Sequence, residues 1–132
     1  MFSSAVSAKT DTDWEKELEK GNHELAIGKI DEAIKIFEKK VDKNPQSGAC
    51  RTALGMALKK KGKTSEAKAQ FREATRNEPT YAQGFYELGS VCESDKEWKE
   101  AEQSFQRYLE LKPDDSKRKT VEDRIRFCQN KQ

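Results

Sequence analysis

Few side chains in this sequence are of the kinds that carry out catalysis or bind metal ions. Among 132 residues there is one histidine, His23, and there are three cysteines, Cys50, Cys92 and Cys128, which form no CxxC pair. A histidine can act as a general acid or base, but no Ser or Cys lies at a helical spacing from His23. These residues also leave little material for a metal site. We therefore expect no catalytic residue, no metal site and no cofactor.

The basic segment around residues 59–63 has some features of a phosphate-binding sequence. The tripeptide Gly62-Lys63-Thr64 resembles the end of a phosphate-binding loop, but such a loop requires glycine at position 57, where the chain has alanine, and a preceding strand. No aromatic residues alternate with these lysines, and 24 Asp and Glu nearly balance 26 Lys and Arg. We expect no nucleic-acid partner.

The lack of long apolar runs and the number of cysteines suggest where the protein is found. No apolar run approaches the roughly 20 residues that a helix needs to cross a bilayer, so we expect no direct membrane insertion. The number of cysteines is odd, and any disulfide framework would leave at least one thiol unpaired. Because free cysteine usually behaves as a small buried hydrophobic residue, we expect reduced thiols and a reducing compartment, the cytoplasm.

The first 13 residues are rich in Ser, Ala, Thr and Asp. Residues 6–8 faintly resemble a signal-peptidase site, but no apolar stretch of about 7 to 15 residues precedes them. We predict that residues 1–13 form a disordered leader. The same composition would suit the stub of a longer protein or an added end, and the sequence does not choose among these.

Four kinds of residue recur at a spacing of 34 positions. Each kind occurs three times in strict register. The series are Ala33, Ala67 and Ala101; Phe37, Phe71 and Phe105; Pro45, Pro79 and Pro113; and Gly21, Gly55 and Gly89. Such agreement is very unlikely by chance. We therefore divide the chain into repeats at residues 14–47, 48–81 and 82–115.

Each repeat is predicted to form two helices joined by a tight turn. In the second repeat, Leu54 and Leu58 recur at helical spacing before Gly62, which can end a helix in the left-handed conformation. A second helix is expected from about residue 64 until it is stopped by Pro79. Small residues let the two helices approach closely, and the phenylalanine fills the space beside them. One such hairpin cannot bury its apolar face, so the repeats must stack.

A seventh helix is predicted for residues 116–131. Val121, Ile125 and Cys128 give it one apolar edge, and a residue among positions 114–116 can cap its start. A narrow apolar edge with a polar back is what a terminal helix needs, because it must cover the last repeat while facing water. We expect it to cap the array.

These features resemble those of tetratricopeptide repeats, which are helix pairs of 34 residues. The clearest match is in the third repeat, at Phe85, Leu88, Gly89, Cys92, Ala101, Phe105, Tyr108 and Pro113. The resemblance implies an all-α fold, a right-handed α-solenoid of three hairpins with a capping helix, over residues 14–132. Two positions depart from the pattern. Lys40 replaces a small residue and is expected to weaken packing at the N-terminal edge, and Lys96 replaces a turn glycine, which predicts a different helix end.

In such an array the first helices line a concave face, and the resemblance implies a non-catalytic adaptor that binds a peptide or helix of a partner protein there. The predicted contact residues are Leu18, Asn22, Thr52, Met56, Lys59, Lys60, Tyr86 and Ser90. The two lysines belong to a basic patch that would attract an acidic partner. Equally compatible with the sequence is an arrangement in which Leu18 only covers the first hairpin and Tyr86 rests against the capping helix.

The best-known binding site of the family is a two-carboxylate clamp that grips the C-terminal tail of cytosolic chaperones. Asn22 matches this clamp. Leu18, Ala53, Gln83 and Glu87 stand where the clamp would need Lys, Asn, Lys and Arg. Because Glu87 would repel a carboxylate, we predict that the chain does not bind an acidic carboxy-terminal tail.

The net charge of the side chains alternates along the chain. It is +5 for residues 48–81 (8 positive, 3 negative), −5 for residues 82–115 (4 and 9) and +4 for residues 116–132 (6 and 2). Attraction between neighbouring repeats accounts for this pattern. The alternative to the adaptor is a structural scaffold that self-associates head to tail through its repeat ends and complementary charges. Concentration-dependent sedimentation would distinguish the scaffold from the adaptor.

Overall fold

The computed structural model describes residues 15–132, and every regular element in this part of the chain is an α-helix. The helices are α1 (residues 15–26), α2 (Ile30–Lys43), α3 (Gly48–Lys60), α4 (Thr64–Asn77), α5 (Ala82–Ser94), α6 (Trp98–Leu111) and α7 (Arg118–Asn130). They form three hairpins and a final helix, which confirms the all-α prediction. The predicted leader lies outside the described residues. No helix within residues 15–132 is both long enough and apolar enough to cross a membrane.

The turn inside each hairpin has one residue in the left-handed conformation. Gly28 and Gly62 have φ angles of +86° and +89°, and Lys96 takes the same position with a φ angle of +62°. After α5, the backbone nitrogen of Glu97 donates to the carbonyl of Cys92 at 2.8 Å, just as residue 63 donates to residue 58 after α3. The prediction of a different helix end at Lys96 is therefore wrong, because the shared hydrogen bonds impose one backbone shape on all three turns.

Replacing Lys96 by glycine is expected to raise the free energy of unfolding by about 1 kcal/mol, because a side chain at positive φ strains the backbone. Urea denaturation followed by circular dichroism measures the change. Lys96→Ala is the matched control, since alanine removes the ammonium group but keeps the strain. If both variants were equally stable, the conformation of Lys96 would not be the cause.

The core of each hairpin places a phenylalanine ring against the backbone of the facing helix. Phe37, Phe71 and Phe105 are fully buried. A Cβ atom built on Gly55 would lie 2.5 Å from Cε1 of Phe71, and one built on Gly89 would lie 2.7 Å from Cε1 of Phe105. Carbon atoms do not approach so closely, so the ring can occupy this place only where the facing residue is glycine.

Opposite charges join the second and third repeats. Arg72 on α4 donates to Glu100 on α6 through Nε at 2.9 Å and Nη2 at 2.7 Å. The Lys68 ammonium pairs with both Asp95 and Glu97. The Arg72 guanidinium holds the pKa of the Glu100 carboxyl below its usual value. Much of the charge alternation seen in the sequence is therefore used between neighbouring repeats of one chain.

The capping helix α7 buries its apolar edge as predicted. Val121 and Cys128 are fully buried. Before the helix, Oδ1 of Asp115 accepts a hydrogen bond from the backbone nitrogen of Lys117 at 2.8 Å. Arg124 ties α7 to α5, since its Nη2 lies 2.8 Å from Oε1 of Glu93. This helix therefore contacts both helices of the third repeat.

Lys40, the first departure from the repeat pattern, is buried, with 3% of its surface exposed. Its ammonium pairs with Glu17 on α1, and this hydrogen bond lowers the pKa of the Glu17 carboxyl. The long stem of a lysine packs like an apolar side chain while the ammonium reaches the surface. Lys40 therefore ties α1 to α2 in place of the small residue typical of this position.

Candidate functional site

A groove of about 340 Å³ lies between the first helices of the three hairpins, and we call it the first-helix groove. Four of the predicted contact residues line it: Leu18 and Asn22 from α1, and Thr52 and Met56 from α3. They meet because positions separated by one repeat of 34 residues, such as 18 with 52 and 22 with 56, lie side by side in stacked helices. The structure thus brings together half of the predicted site.

The lining of the first-helix groove carries no formal charge. Its other four residues are Ala49, Ala53, Tyr81 and Gln83. In a chain in which 38% of the residues are charged, an uncharged groove is suited to an apolar or neutral ligand. Met56 is 40% exposed there, which is unusual for a large apolar side chain in this protein.

Thr52 lies at the floor of this groove, with 1% of its surface exposed. Within residues 15–132 its Oγ1 is the one buried side-chain oxygen or nitrogen atom without a hydrogen-bond partner. An unpartnered hydroxyl in a buried position costs free energy. Because this oxygen is itself buried and faces Gly84 on α5, Thr52 contributes packing to the floor and no hydrogen-bonding atom that a ligand could reach.

The structure places the other predicted contact residues elsewhere. Lys59 and Lys60 are exposed in the last turn of α3 and do not line the groove. Ser90 is buried on α5, with 9% of its surface exposed. The site as predicted from the sequence is therefore divided, and only its first half forms one surface.

Tyr86 rests against the capping helix. Its ring centroid lies 5.2 Å from that of Tyr108. Nη1 of Arg124 lies 3.4 Å from the Tyr86 hydroxyl, and Nζ of Lys117 lies 4.8 Å from the ring centroid. These contacts agree with the arrangement in which Tyr86 stabilises the cap, and they separate it from the first-helix groove.

Tyr81, which lines the groove, was not among the predicted contact residues. It is the N-cap of α5, and burial raises the pKa of its phenol. Its place at the end of a repeat, just before a first helix, is the sequence feature that could have identified it. An aromatic ring there closes one end of the groove.

The positions of the chaperone-tail clamp are occupied by residues that do not favour an anion. Glu87 is buried, with 8% of its surface exposed, and its Oε1 accepts a hydrogen bond from Nε2 of Gln83 at 2.8 Å. The Gln83 amide is thereby oriented by a carboxylate. This arrangement gives the third repeat no cation for a ligand carboxylate.

The three cysteines are buried free thiols, as predicted. Burial raises the pKa of the Cys92 thiol to about 12, so it is protonated at neutral pH. Ligand atoms of Cys92, Glu97 and Glu100 lie within 4.8 Å of one another, as in some metal sites. Both carboxylates are, however, paired with Arg72, so we assign this cluster to the junction between repeats.

Comparison with known proteins agrees with this architecture. A family model described as tetratricopeptide repeat matches residues 52–116. Residues 52–116 are therefore tetratricopeptide repeats. The structure extends the repeats on both sides of the matched segment, since the first hairpin and the capping helix complete a three-repeat array. No curated protein sequence matches the chain significantly.

Several solved tetratricopeptide repeat domains have a similar structure. The first TPR of Spaghetti (RPAP3) bound to the HSP90 peptide SRMEEVD is 24% identical, with a TM-score of 0.76 over 86% of this chain and 88% of that chain. The TPR2B domain of yeast Sti1 in a pHsp70 complex is 15% identical, with a TM-score of 0.77 over 89% and 97%.

A bacterial chaperone shows the same fold. The Yersinia enterocolitica type III secretion chaperone SycD, in complex with a peptide of the translocator YopD, is 14% identical, with a TM-score of 0.79 over 91% of this chain and 95% of that chain. These similarities establish a helical solenoid for this chain. These three domains were each solved with a bound peptide or in a complex with a partner.

Proposed function

We propose that this chain is a non-catalytic adaptor that binds an uncharged, largely apolar segment of a partner protein, as a peptide or a helix, in the first-helix groove. The supporting observation is the lining of that groove, in which eight side chains from three repeats carry no charge. Peptide binding by tetratricopeptide repeat relatives supports the same class of function. The proposal includes a reducing compartment such as the cytoplasm, because all three thiols are free.

The chemistry of the groove determines what the partner segment must offer. Leu18 and Met56 provide apolar contact surface, so the partner needs at least one apolar side chain. The side-chain amide of Asn22 is exposed and can pair with main-chain groups of an extended or helical segment, whereas the Thr52 hydroxyl is buried beneath the groove and out of reach. A charged side chain would lose hydration without gaining an ion pair.

This chemistry differs from that of a carboxylate clamp. A ligand carboxylate would lie near Glu87 and Gln83, which offer no positive charge. We propose that the chain does not bind acidic carboxy-terminal chaperone tails, although the Spaghetti domain was solved with an HSP90 peptide. Titration with the peptide SRMEEVD is expected to show no saturable binding, and a micromolar dissociation constant would contradict this part of the proposal.

Selection from a library of random linear peptides displayed on phage tests the main proposal. Recovered peptides are expected to share apolar residues and to need no free C-terminal carboxylate. Met56→Glu is expected to weaken their binding about tenfold or more, because it buries a charge against the ligand. Met56→Leu keeps an apolar side chain and should bind within about threefold of the parent chain. Equal binding by the Glu variant would show that another surface is used.

The self-associating scaffold has less support from the structure. Association between copies would need charges that are free to pair, but Lys68 and Arg72 pair with the third repeat of the same chain, and Arg124 pairs with Glu93. Charges paired within one molecule add little to attraction between molecules. The adaptor is therefore the function that we propose.

A further inference from the structure

A second groove, of about 420 Å³, lies between the second helices of the first two repeats. Its floor is apolar and contains Val41, Leu54 and Leu58. Its rim carries three carboxylates, from Glu38 and Asp42 on α2 and from Glu66 on α4. No Lys or Arg lines this groove. We call it the acidic groove.

The same position one repeat further along the chain is spanned by an arginine. Adding 34 to the residue numbers relates Glu38 to Arg72 and Glu66 to Glu100. We call the contact between repeats one and two the first junction, and that between repeats two and three the second junction. At the second junction, Arg72 reaches from α4 to α6 and donates two hydrogen bonds to Glu100, at 2.9 and 2.7 Å. A bidentate ion pair of this kind, with two parallel hydrogen bonds from arginine to a carboxylate, is among the strongest side-chain contacts. The second junction therefore shows how a guanidinium fits this type of groove.

At the first junction the arginine is missing and the glutamate that would receive it remains. Glu38 and Glu66 line the acidic groove together and have the same charge, so they cannot bridge it. Glu66 pairs with Lys63 of its own helix end, whose Nζ lies 3.8 Å from Oε1. Among residues 15–132, Glu38 and Asp42 make no ion pair.

The cations at the outer end of the acidic groove are partly occupied. Lys61 pairs with Asp31 at 2.6 Å. Lys35, Lys61 and Lys63 line an adjoining pocket together with Glu38, Leu58 and Glu66. None of these lysines lines the inner part of the acidic groove, beside Asp42, Val41 and Leu54. A ligand for this inner part therefore has to bring both a positive charge and an apolar surface.

We propose that the acidic groove is a docking site for a segment of a partner protein that presents an arginine beside aliphatic side chains. The guanidinium lies between Glu38 and Glu66, taking the place that Arg72 has at the next junction, and the aliphatic side chains cover Leu54 and Leu58. Arginine suits this site better than lysine because its planar fork can bind two carboxylates at once. The site is separate from the first-helix groove and does not depend on the function proposed for that groove.

The probe for this site is a blocked hexapeptide with two arginines and two leucines in alternation between terminal glycines. Titration of the ¹⁵N-labelled full chain by NMR is expected to shift the amides of α2 and α4 around the acidic groove in a saturable way. A peptide with citrulline in place of arginine has the same shape without the charge, and is expected to bind about tenfold more weakly. Shifts confined to the first-helix groove, or equal binding of the citrulline peptide, would overturn the proposal.

Variants of the chain supply the second half of the test. The double variant Glu38→Gln and Glu66→Gln is expected to weaken binding of the arginine peptide about tenfold, and Glu38→Arg is expected to abolish it by placing a guanidinium in the groove. Glu32→Arg makes the same charge change on an exposed position of α2 outside the groove and should leave binding within about threefold. Circular dichroism checks that each variant is folded. Equal loss in Glu32→Arg would mean that only net charge matters, and would overturn the site.

Discussion

Replacing Phe71 by alanine is expected to lower the free energy of unfolding by about 3 to 5 kcal/mol. The ring is fully buried in the middle hairpin and lies against the backbone of α3 at Gly55. Its removal leaves a cavity that cannot collapse, because the helices on both sides are held by the first and third repeats. Against a typical total of about 5 to 15 kcal/mol, such a loss brings the domain close to unfolding.

Urea denaturation measures this effect, and two other phenylalanines serve as controls. Phe127 is 47% exposed on α7, so Phe127→Ala should cost less than about 1.5 kcal/mol. Phe37 is fully buried but belongs to the terminal hairpin, where local opening can relieve a cavity, so Phe37→Ala should cost less than the change at Phe71. An unchanged midpoint for Phe71→Ala would contradict the repeat register itself.

The register could be predicted from the sequence because the residues that set it have few alternatives. A buried ring against a helix backbone requires glycine on the facing helix, and the chain repeats this pair at 34-residue intervals. Burial of Phe71 and the positive φ of Gly62 follow directly from that pattern. The left-handed conformation of Lys96 could not be predicted in this way, because lysine rarely adopts that conformation and only the geometry of the turn requires it.

The candidate site was harder to predict because it depends on neighbours that the repeat does not contain. Tyr86 occupies the repeat position of Leu18 and Thr52, which line the first-helix groove. Its own neighbour is α7, whose Arg124 and Lys117 lie against the ring. Repeat position therefore predicts which face a residue lies on, but the next element along the chain decides whether a ligand can reach it.

The acidic groove illustrates the same limit for charges. The sequence shows the net charge of each repeat, but it does not show which cations cross a junction. Arg72 reaches Glu100 at 2.7 Å, whereas Glu38, at the equivalent position, makes no ion pair across its junction within the part of the chain that the structure describes. Junctions that look alike in helix pattern are thus different surfaces, and the difference lies in single exposed residues.

Removal of the capping helix is expected to have the second large effect. A chain that ends at Asp115 should lose at least about 3 kcal/mol of unfolding free energy, because the burial of Val121 and Cys128 against the third repeat is lost. The guanidinium of Arg124, which lies 4.4 Å from the ring centroid of Phe105, is lost as well. Urea denaturation measures the loss, and binding of a dye that reports exposed apolar surface should increase.

The helices in which hydrogen exchange becomes faster show whether α7 caps only the third repeat or stabilises the whole array. In a stacked array each repeat contacts only its neighbours, so hydrogen exchange should quicken most in α5 and α6 and least in α2. The full chain with Val121→Asp is expected to show the same pattern, because a buried unpaired carboxylate detaches α7 without shortening the chain. Arg126→Ala, on the exposed side of α7, is the control and should leave exchange in α5 and α6 unchanged. Exchange that quickened equally in all helices would mean that the three repeats unfold as one cooperative unit and that α7 stabilises the whole array.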